Sequence, residues 1–445
     1  MNSNRFNRRR FLGASTAAAV APYIRTSRAA GSLAVGFWDH WVPGANDTLA
    51  KLCNEWAARE KVELKLDFIA SQGNKLLLTI AAEGQAKGGH DVLSFYTWLG
   101  AGQAANLEVV DDVVQPLIAK YGDVPDAVAY LGKYNGNWVA VPATCGSQMK
   151  GPCARIDLFK EHVGLDLTKM YPAGAPPDKA LTDRWTWDAF LLAAERCFKA
   201  GFPFGIGMGQ TADSVDSAGA IFAAHGAHLV DAKGNITVNS DATRQALEYC
   251  KKLVQFLPAD TFAWDDASNN KWLIAGKGAL IMNPPSAWAV AKRDNPKLAE
   301  QLWTFPSPKG PKGRFQPAGP FYWGIWKFSK NKSAARSLLT YLSQRPAVEQ
   351  LVIASGGYDI PWFTGLRDFK IWAEIGPPKG TLYHYPPGDD QIISMTGAPA
   401  PAAIATQMYV QATLTKMIAK FTQGREPMDR VISGATSELE GFMRV

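Results

Sequence analysis

Two short aromatic clusters are the segments of this chain best suited to contact a ligand. They occupy residues 37–41 and 95–98, and their candidate ligand-binding side chains are Trp38, Asp39, Trp41, Tyr96 and Trp98. Flat rings pack on the apolar C–H faces of a sugar or polyol, and a carboxylate accepts two hydroxyl hydrogen bonds. Aromatic residues are also common in protein cores, so each cluster alone is equally compatible with a packing role. Two clusters in equivalent positions favour a binding site.

Further candidate side chains follow other predicted strands or lie in aromatic segments later in the chain. They are Thr144, Ser147, Asn283, Ser286, Trp288, Tyr322, Trp323, Tyr358 and Trp362. Rings next to planar amide and hydroxyl groups suit a neutral sugar or polyol better than a charged ligand. The identity of the sugar and its chain length stay open. The favoured members of the whole candidate set are Trp38, Asp39, Tyr96, Asn283 and Trp323.

Alternating strand and helix patterns position these clusters. Residues 32–38, 62–68 and 91–95 are predicted to be strands, with amphipathic helices between them. Short loops between such elements predict a mostly parallel sheet with helices on both faces, which binds ligands at the carboxyl ends of its strands. Further along, residues 306–320 are predicted to be a loop before a strand at 321–326, and residues 408–423 a helix.

The N-terminus carries the pattern of an export leader. Three arginines at positions 8–10 precede Phe11-Leu12, a weakly apolar run extends to Ile24, and small residues follow at Ala29-Ala30. This order predicts a twin-arginine signal peptide over residues 1–30 and a periplasmic location.

Removal of that leader changes the charge balance of the chain. The full sequence has 47 Lys and Arg against 40 Asp and Glu, for a net charge of +7, but six of the arginines lie within residues 1–29. The remaining chain is nearly neutral, so nucleic-acid binding and attachment to a charged membrane surface lose their support. A chain of about 415 residues is large enough for two lobes.

Several motifs, in this order, resemble those of the extracellular solute-binding proteins of family 1, the family of maltose-binding protein. They occupy residues 35–38, 75–78, 88–92, 135–142, 185–188, 276–282 and 329–335. The resemblance implies an α/β fold of the periplasmic binding protein type II-like class, in which crossover hinge strands join two α/β lobes around a ligand cleft. It implies a first lobe of residues 31–141 plus 302–345 and a second of residues 142–301 plus 346–445. It also adds Tyr409, at a position where members often have a ring.

The same resemblance implies that the chain is a monomer without a cofactor that captures a sugar or polyol for the membrane subunits of an ABC importer. No carboxylate closely follows Pro142, which argues against maltose itself. Hinge positions and affinity stay open.

Two alternatives remain. A periplasmic carbohydrate-active enzyme would need two carboxyl groups facing each other across a cleft, whereas the acid pairs at 111–112, 265–266 and 389–390 are adjacent in sequence. The second alternative is a receptor of the same fold for a polyamine or another small solute. A polyamine would need several acids facing the rings, and the aromatic clusters contain only Asp39. A disulfide between Cys145 and Cys153 is also open, since sequence alone does not define pairing.

Overall fold

The computed structural model describes residues 31–385, 388 and 390–444, so the predicted signal peptide lies outside the described residues. The strands are β1 Gly31–Trp38, β2 Val62–Ile69, β3 Val92–Tyr96, β4 Lys133–Tyr134, β5 Asn137–Trp138, β6 Val141–Met149, β7 Cys153–Arg155, β8 Leu280–Ile281, β9 Leu302–Thr304, β10 Phe315–Ile325 and β11 Ile392–Ser394.

The first ten helices are α1 Pro43–Glu60, α2 Lys75–Ala86, α3 Trp98–Gly102, α4 Asp111–Tyr121, α5 Asp126–Gly132, α6 Ile156–Leu158, α7 Leu167–Met170, α8 Lys179–Thr182, α9 Trp187–Lys199 and α10 Ala212–His225. The following ten are α11 Asp241–Leu253, α12 Ser268–Ile274, α13 Pro284–Asp294, α14 Pro296–Ala299, α15 Lys332–Leu342, α16 Arg345–Ala354, α17 Ile371–Glu374, α18 Ala402–Val410, α19 Thr413–Thr422 and α20 Met428–Phe442. In the described part of the chain, no helix has both the length and the apolar character needed to cross a membrane.

The larger sheet has the strand order β11-β10-β3-β1-β2, with β6 also paired to β10. Strands β2 and β3 flank β1 in parallel, as predicted, whereas β10 is antiparallel to both β3 and β6. The carboxyl ends of β1 and β3 therefore lie beside each other, which brings the two aromatic clusters to one edge of the sheet.

A smaller antiparallel sheet has the order β8-β7-β9 and is packed among helices from the middle of the chain. Helices α9 and α11 begin directly after Thr186 and Ser240, because these hydroxyls accept hydrogen bonds from backbone N–H groups in the first turn. Strand β9 begins at residue 302, where the predicted first lobe resumes, and pairs with β7. The lobe boundaries themselves stay a prediction.

Two predicted elements differ from the structure. The predicted loop at 306–320 is wrong in its second half, because β10 already begins at Phe315 and pairs with both β11 and β6. Pro320 is tolerated there because the pairing with β6 shifts register between Gly319 and Phe321. The predicted helix at 408–423 is two helices, α18 and α19, separated at Ala412, whose φ is 53°.

Most of the abundant tryptophan belongs to the core. The largest fully buried side chains include Trp56, Trp98, Trp138, Trp185, Trp288, Trp323, Trp326 and Trp362. All five cysteines are buried free thiols, including Cys145 and Cys153. Burial raises the pKa of Cys53 to about 12, which is the behaviour of an inert core thiol.

Candidate functional site

A cleft of about 460 Å³ lies at the edge of the larger sheet where β1 and β3 end. Its aromatic wall consists of Trp38, Trp41, Tyr96, Phe321 and Tyr358. Its acidic wall consists of Asp213, Asp265, Asp266 and Asn283, next to Lys150. Residues 71–74, at the start of α2, and Tyr409 and Val410, at the end of α18, also line it. A cavity of this size, with rings and a few polar groups, has the character of a small-molecule site.

Six of the predicted site residues line this cleft. They are Trp38, Trp41, Tyr96, Asn283, Tyr358 and Tyr409. Trp38 and Tyr96 each pack against Phe321, with ring centroids 4.9 and 5.0 Å apart. Trp41 is half-buried and lines the cleft, so part of its ring is open to a ligand. The roles of these six residues stay a prediction that the geometry makes possible.

The other nine predicted residues do not line the cleft. They are Asp39, Trp98, Thr144, Ser147, Ser286, Trp288, Tyr322, Trp323 and Trp362. Asp39 is exposed and accepts a hydrogen bond of 2.7 Å from Asn46. It follows Trp38, and successive side chains of an extended segment point in opposite directions, which separates the two.

Hydrogen bonds inside the fold explain several of these placements. The indole N–H groups of Trp98 and Trp288 donate to the backbone carbonyls of Thr396 and Pro377. The hydroxyl of Tyr322 donates to the Val128 carbonyl at 2.8 Å. In the same interior, the indole of Trp362 donates to Ser147 Oγ. Ser286 Oγ bonds the Asn270 amide, Thr144 is buried, and Trp323 packs on Phe37 with ring centroids 5.4 Å apart.

A charged cluster in the cleft was not among the residues predicted from sequence. Lys150, directly after β6, is only 1% exposed, and its Nζ lies 2.7 Å from Asp213 Oδ1 and 2.8 Å from Asp216 Oδ2. Its ammonium also lies 5.3 Å from the centroid of the Tyr96 ring. The sequence did contain one signal of this cluster, a lysine directly after an otherwise uncharged buried strand. Its carboxylate partners, however, are more than 60 residues away in sequence.

Burial and charge act in opposition on this cluster. Burial alone lowers the pKa of Lys150, but Asp213 and Asp216 outweigh it and hold that pKa well above its usual value. Burial raises the pKa of Asp216, with Lys150 opposing. Burial and the nearby Asp213 carboxylate raise the pKa of Asp266 from 3.8 to about 6. Asp266 nevertheless accepts the backbone N–H of Asp213, at the start of α10.

Both walls contain buried polar atoms that have no hydrogen-bond partner among the described residues. On the aromatic wall these are Trp38 Nε1 and the Tyr358 hydroxyl. On the acidic wall it is Asn283 Oδ1, and Gln148 Oε1 has the same status in the same cleft. Because a buried unpaired polar atom is costly, these atoms are the expected contacts of a polar ligand or water.

Comparison with known proteins identifies the family. The sequence profile of the bacterial extracellular solute-binding proteins matches residues 51–376, which is most of the chain. The chain belongs to this family. The solute-binding protein is thus related to binding proteins that act outside the cytoplasm.

A curated relative is a probable ABC transporter-binding protein of Deinococcus radiodurans, 29% identical over 225 residues. That alignment covers 49% of this chain and 52% of the relative, so the chain spans about half the length of the curated relative that it matches.

Solved structures establish the fold of the solute-binding protein. Maltose-bound MalE3 of T. maritima superposes with a TM-score of 0.72 at 16% identity, covering 92% of this chain and 99% of that one. A sugar transporter of Arthrobacter chlorophenolicus A6, with bound laminaribiose, gives 0.71 at 14% identity and covers the same 92% and 99%. The predicted α/β fold of the periplasmic binding protein type II-like class is therefore confirmed.

Gly146 supports the aromatic wall. Its φ is +88°, and a Cβ added there would lie 2.8 Å from the Phe321 ring and 2.9 Å from the Trp38 ring. We expect Gly146→Ala to lower the free energy of unfolding by about 2–4 kcal/mol, from a left-handed backbone and displaced rings. Gly136 is the matched control, since its φ is +83° with nothing within 4 Å of an added Cβ. Urea unfolding measures both variants, and equal losses would contradict a packing role for Gly146.

Asp266 gives the unliganded solute-binding protein a pH dependence. Its folded pKa of about 6 lies above the usual 3.8, so the folded state binds the proton more tightly than the unfolded state. The ionised carboxylate therefore lowers stability, fully above about pH 7 and not at all below about pH 4. We expect Asp266→Asn, which keeps an acceptor for the Asp213 N–H, to melt at a higher temperature than the parent chain at pH 7.5. The difference should vanish by pH 4 in melting curves, and a difference independent of pH would contradict this.

Proposed function

We propose that this solute-binding protein captures a sugar or polyol in the cleft and delivers it to the membrane subunits of an ABC importer. The observation that carries the proposal is the composition of the cleft, where five rings of the aromatic wall lie beside amide and carboxylate groups. A sugar presents apolar C–H faces and a rim of hydroxyls, and the two kinds of group match these surfaces.

The residues have distinct proposed roles. Trp41 and Tyr409 supply ring faces that line the cleft, and Trp38 supplies a ring and an unpartnered indole donor. Asn283 supplies an acceptor, because its Nδ2 is already used by Asp213 at 3.1 Å. The sugars named for the two superposed structures support a carbohydrate ligand for this fold.

The remaining parts of the proposal concern the whole protein. We infer export by the twin-arginine route, a periplasmic location and a monomeric state. The lobes would close by hinge bending around the ligand, and the membrane subunits would recognise the closed form. The protein would bind its solute without converting it.

A thermal-shift screen tests this proposal. The chain from residue 31 would be melted with a panel of sugars, polyols, polyamines and amino acids. A ligand at 100 times its dissociation constant adds about 2.7 kcal/mol of stability, enough for a visible rise in melting temperature. We expect a rise with one carbohydrate class. A rise with amino acids alone, or with no compound of the panel, would contradict a carbohydrate ligand.

A further inference from the structure

Negative charge exceeds positive charge on the acidic wall. Lys150 is the one Lys, Arg or His that lines the cleft in the described part of the chain, and it already pairs with both Asp213 and Asp216. Asp266, on the acidic wall, adds a third carboxylate to this cluster and forms no ion pair with the described residues, while the neighbouring Asp265 is exposed and accepts from Ser268. The N-terminus of α10 stabilises Asp266 in part, through the Asp213 N–H. One ammonium among three carboxylates leaves a deficit of positive charge in a largely buried place.

Unpartnered acceptors line the same cleft. A carboxylate oxygen only accepts hydrogen bonds, so the Asn283 atom that faces Asp213 is its amide nitrogen. The Asn283 oxygen is therefore directed elsewhere, and it is buried without a donor among the described residues. Asn283 is 5% exposed and Gln148, with its own unpartnered oxygen, is 7% exposed. Both side chains line the cleft.

A ligand group that complements both the excess of carboxylates and the unpartnered acceptor oxygens has a positive charge, several hydrogen-bond donors and no acceptor. A protonated amine has these properties, with three N–H donors on a compact charge. A hydroxyl would supply only one donor and would leave the charge deficit as it is. The unpartnered indole N–H of Trp38 lies on the aromatic wall instead, where it suits a hydroxyl or ether oxygen.

We propose that the solute is an amino-substituted sugar or polyol whose ammonium group binds at the acidic wall, between Asp213, Asp266 and Asn283. This inference rests on the proposed function and narrows its ligand class. The rings contact the apolar faces of the sugar, and the carboxylates favour a positively charged ligand over a neutral one. The excess of carboxylates, unfavourable in the free protein, becomes favourable when the ammonium is bound.

Ligands that differ only in the group at C2 of each sugar ring test this inference. Calorimetry at pH 7.5 would compare cellobiose, the β-1,4 glucosamine dimer and its N-acetylated form, which have hydroxyl, ammonium and acetamide groups, respectively, at C2 of both rings. Glucose, galactose and mannose would be compared with their 2-amino counterparts in the same way. Within the matched set of ligands that binds most tightly, we expect the amino sugar to bind at least tenfold more tightly than the neutral sugars.

Asp266→Asn provides the second arm. This variant should lose most of the preference for the amine over its neutral partner, while its melting temperature shows that it folds. Glu161→Gln is the matched control, because Glu161 is a solvent-exposed acid outside the cleft whose side chain is 72% exposed. It should keep the full preference for the amine.

The outcomes separate this inference from the proposed function. Tightest binding of a neutral sugar by the parent chain would overturn the amine and leave the sugar receptor standing. An amine preference that survives Asp266→Asn would overturn the assignment to the acidic wall. Binding of spermidine with no binding of any sugar, or no binding of any compound, would overturn both.

Discussion

Replacing Lys150 with methionine is expected to lower the free energy of unfolding by about 3–5 kcal/mol at pH 7.5, the range found when one partner of a buried ion pair is removed. Methionine fills a similar volume, so the loss would come from charge and not from a cavity. It would leave Asp213 and Asp216, which lie 2.7 and 2.8 Å from the ammonium, without their cation. Urea unfolding measures the loss.

Lys277→Met is the matched control for this variant. Lys277 also lies over an aromatic ring, 5.5 Å from the centroid of Trp272, but it is exposed and forms no recorded ion pair in the described structure. The control should lose less than about 1 kcal/mol, as is usual for surface substitutions. Adding Asp216→Asn to Lys150→Met should restore part of the stability, because it removes one unpaired charge. A loss at Lys150 no larger than that at Lys277 would contradict the buried charge cluster.

The largest effect on affinity is expected from Trp41→Ala. Burying an aromatic side chain against a ligand contributes about 1.5–3 kcal/mol, so its removal should weaken sugar binding roughly ten- to a hundredfold. Stability should change little, because Trp41 is half-buried and lines the cleft. Calorimetry with the best carbohydrate of the screen measures the affinity.

Trp38 is less suited to this test, because it packs on Phe321 and His40 and its loss would disturb the fold. Tyr134→Ala serves as the control, since Tyr134 is an exposed ring in the β4–β5 hairpin, outside the cleft. It should bind the sugar as the parent chain does. Unchanged affinity in Trp41→Ala would show that the ligand does not contact the aromatic wall at that ring.

The fold could be predicted from sequence because it depends on local and ordered signals. Alternating apolar residues defined β2, and the order of family-like motifs defined the class. The loop prediction at 306–320 failed because prolines and glycines suggested a break. Pairing of β10 with β6 and β11 outweighs that local preference.

The site could be predicted only in part, for a geometric reason. The positions of the strand ends identified Trp38 and Tyr96. The sequence does not show, however, which aromatic residues near a strand end face the cleft and which face the core. Trp98 and Trp323 have the same residue type as Trp38, yet both are buried away from the cleft.

The charge of the cleft could not be predicted from sequence either, because its charged residues come from segments that are far apart in the chain. The aromatic clusters contain one acid, Asp39, which pointed to a neutral ligand. The fold turns Asp39 away and brings Asp213 and Asp266, from distant segments, next to the rings. Of the adjacent acids at 265 and 266, Asp265 accepts hydrogen bonds from the Ser268 hydroxyl and the Ala267 N–H. Its neighbour Asp266 lies instead at the start of α10.

Titration calorimetry followed by mass spectrometry of the recovered ligand tests the central claim most directly. The chain from residue 31 would be titrated with the carbohydrate that stabilises it most, and the ligand would then be released by unfolding. We predict one ligand per chain, weaker binding by Trp41→Ala, and recovery of the carbohydrate chemically unchanged. Absence of carbohydrate binding, or recovery of a cleaved or converted product, would contradict a sugar-binding receptor.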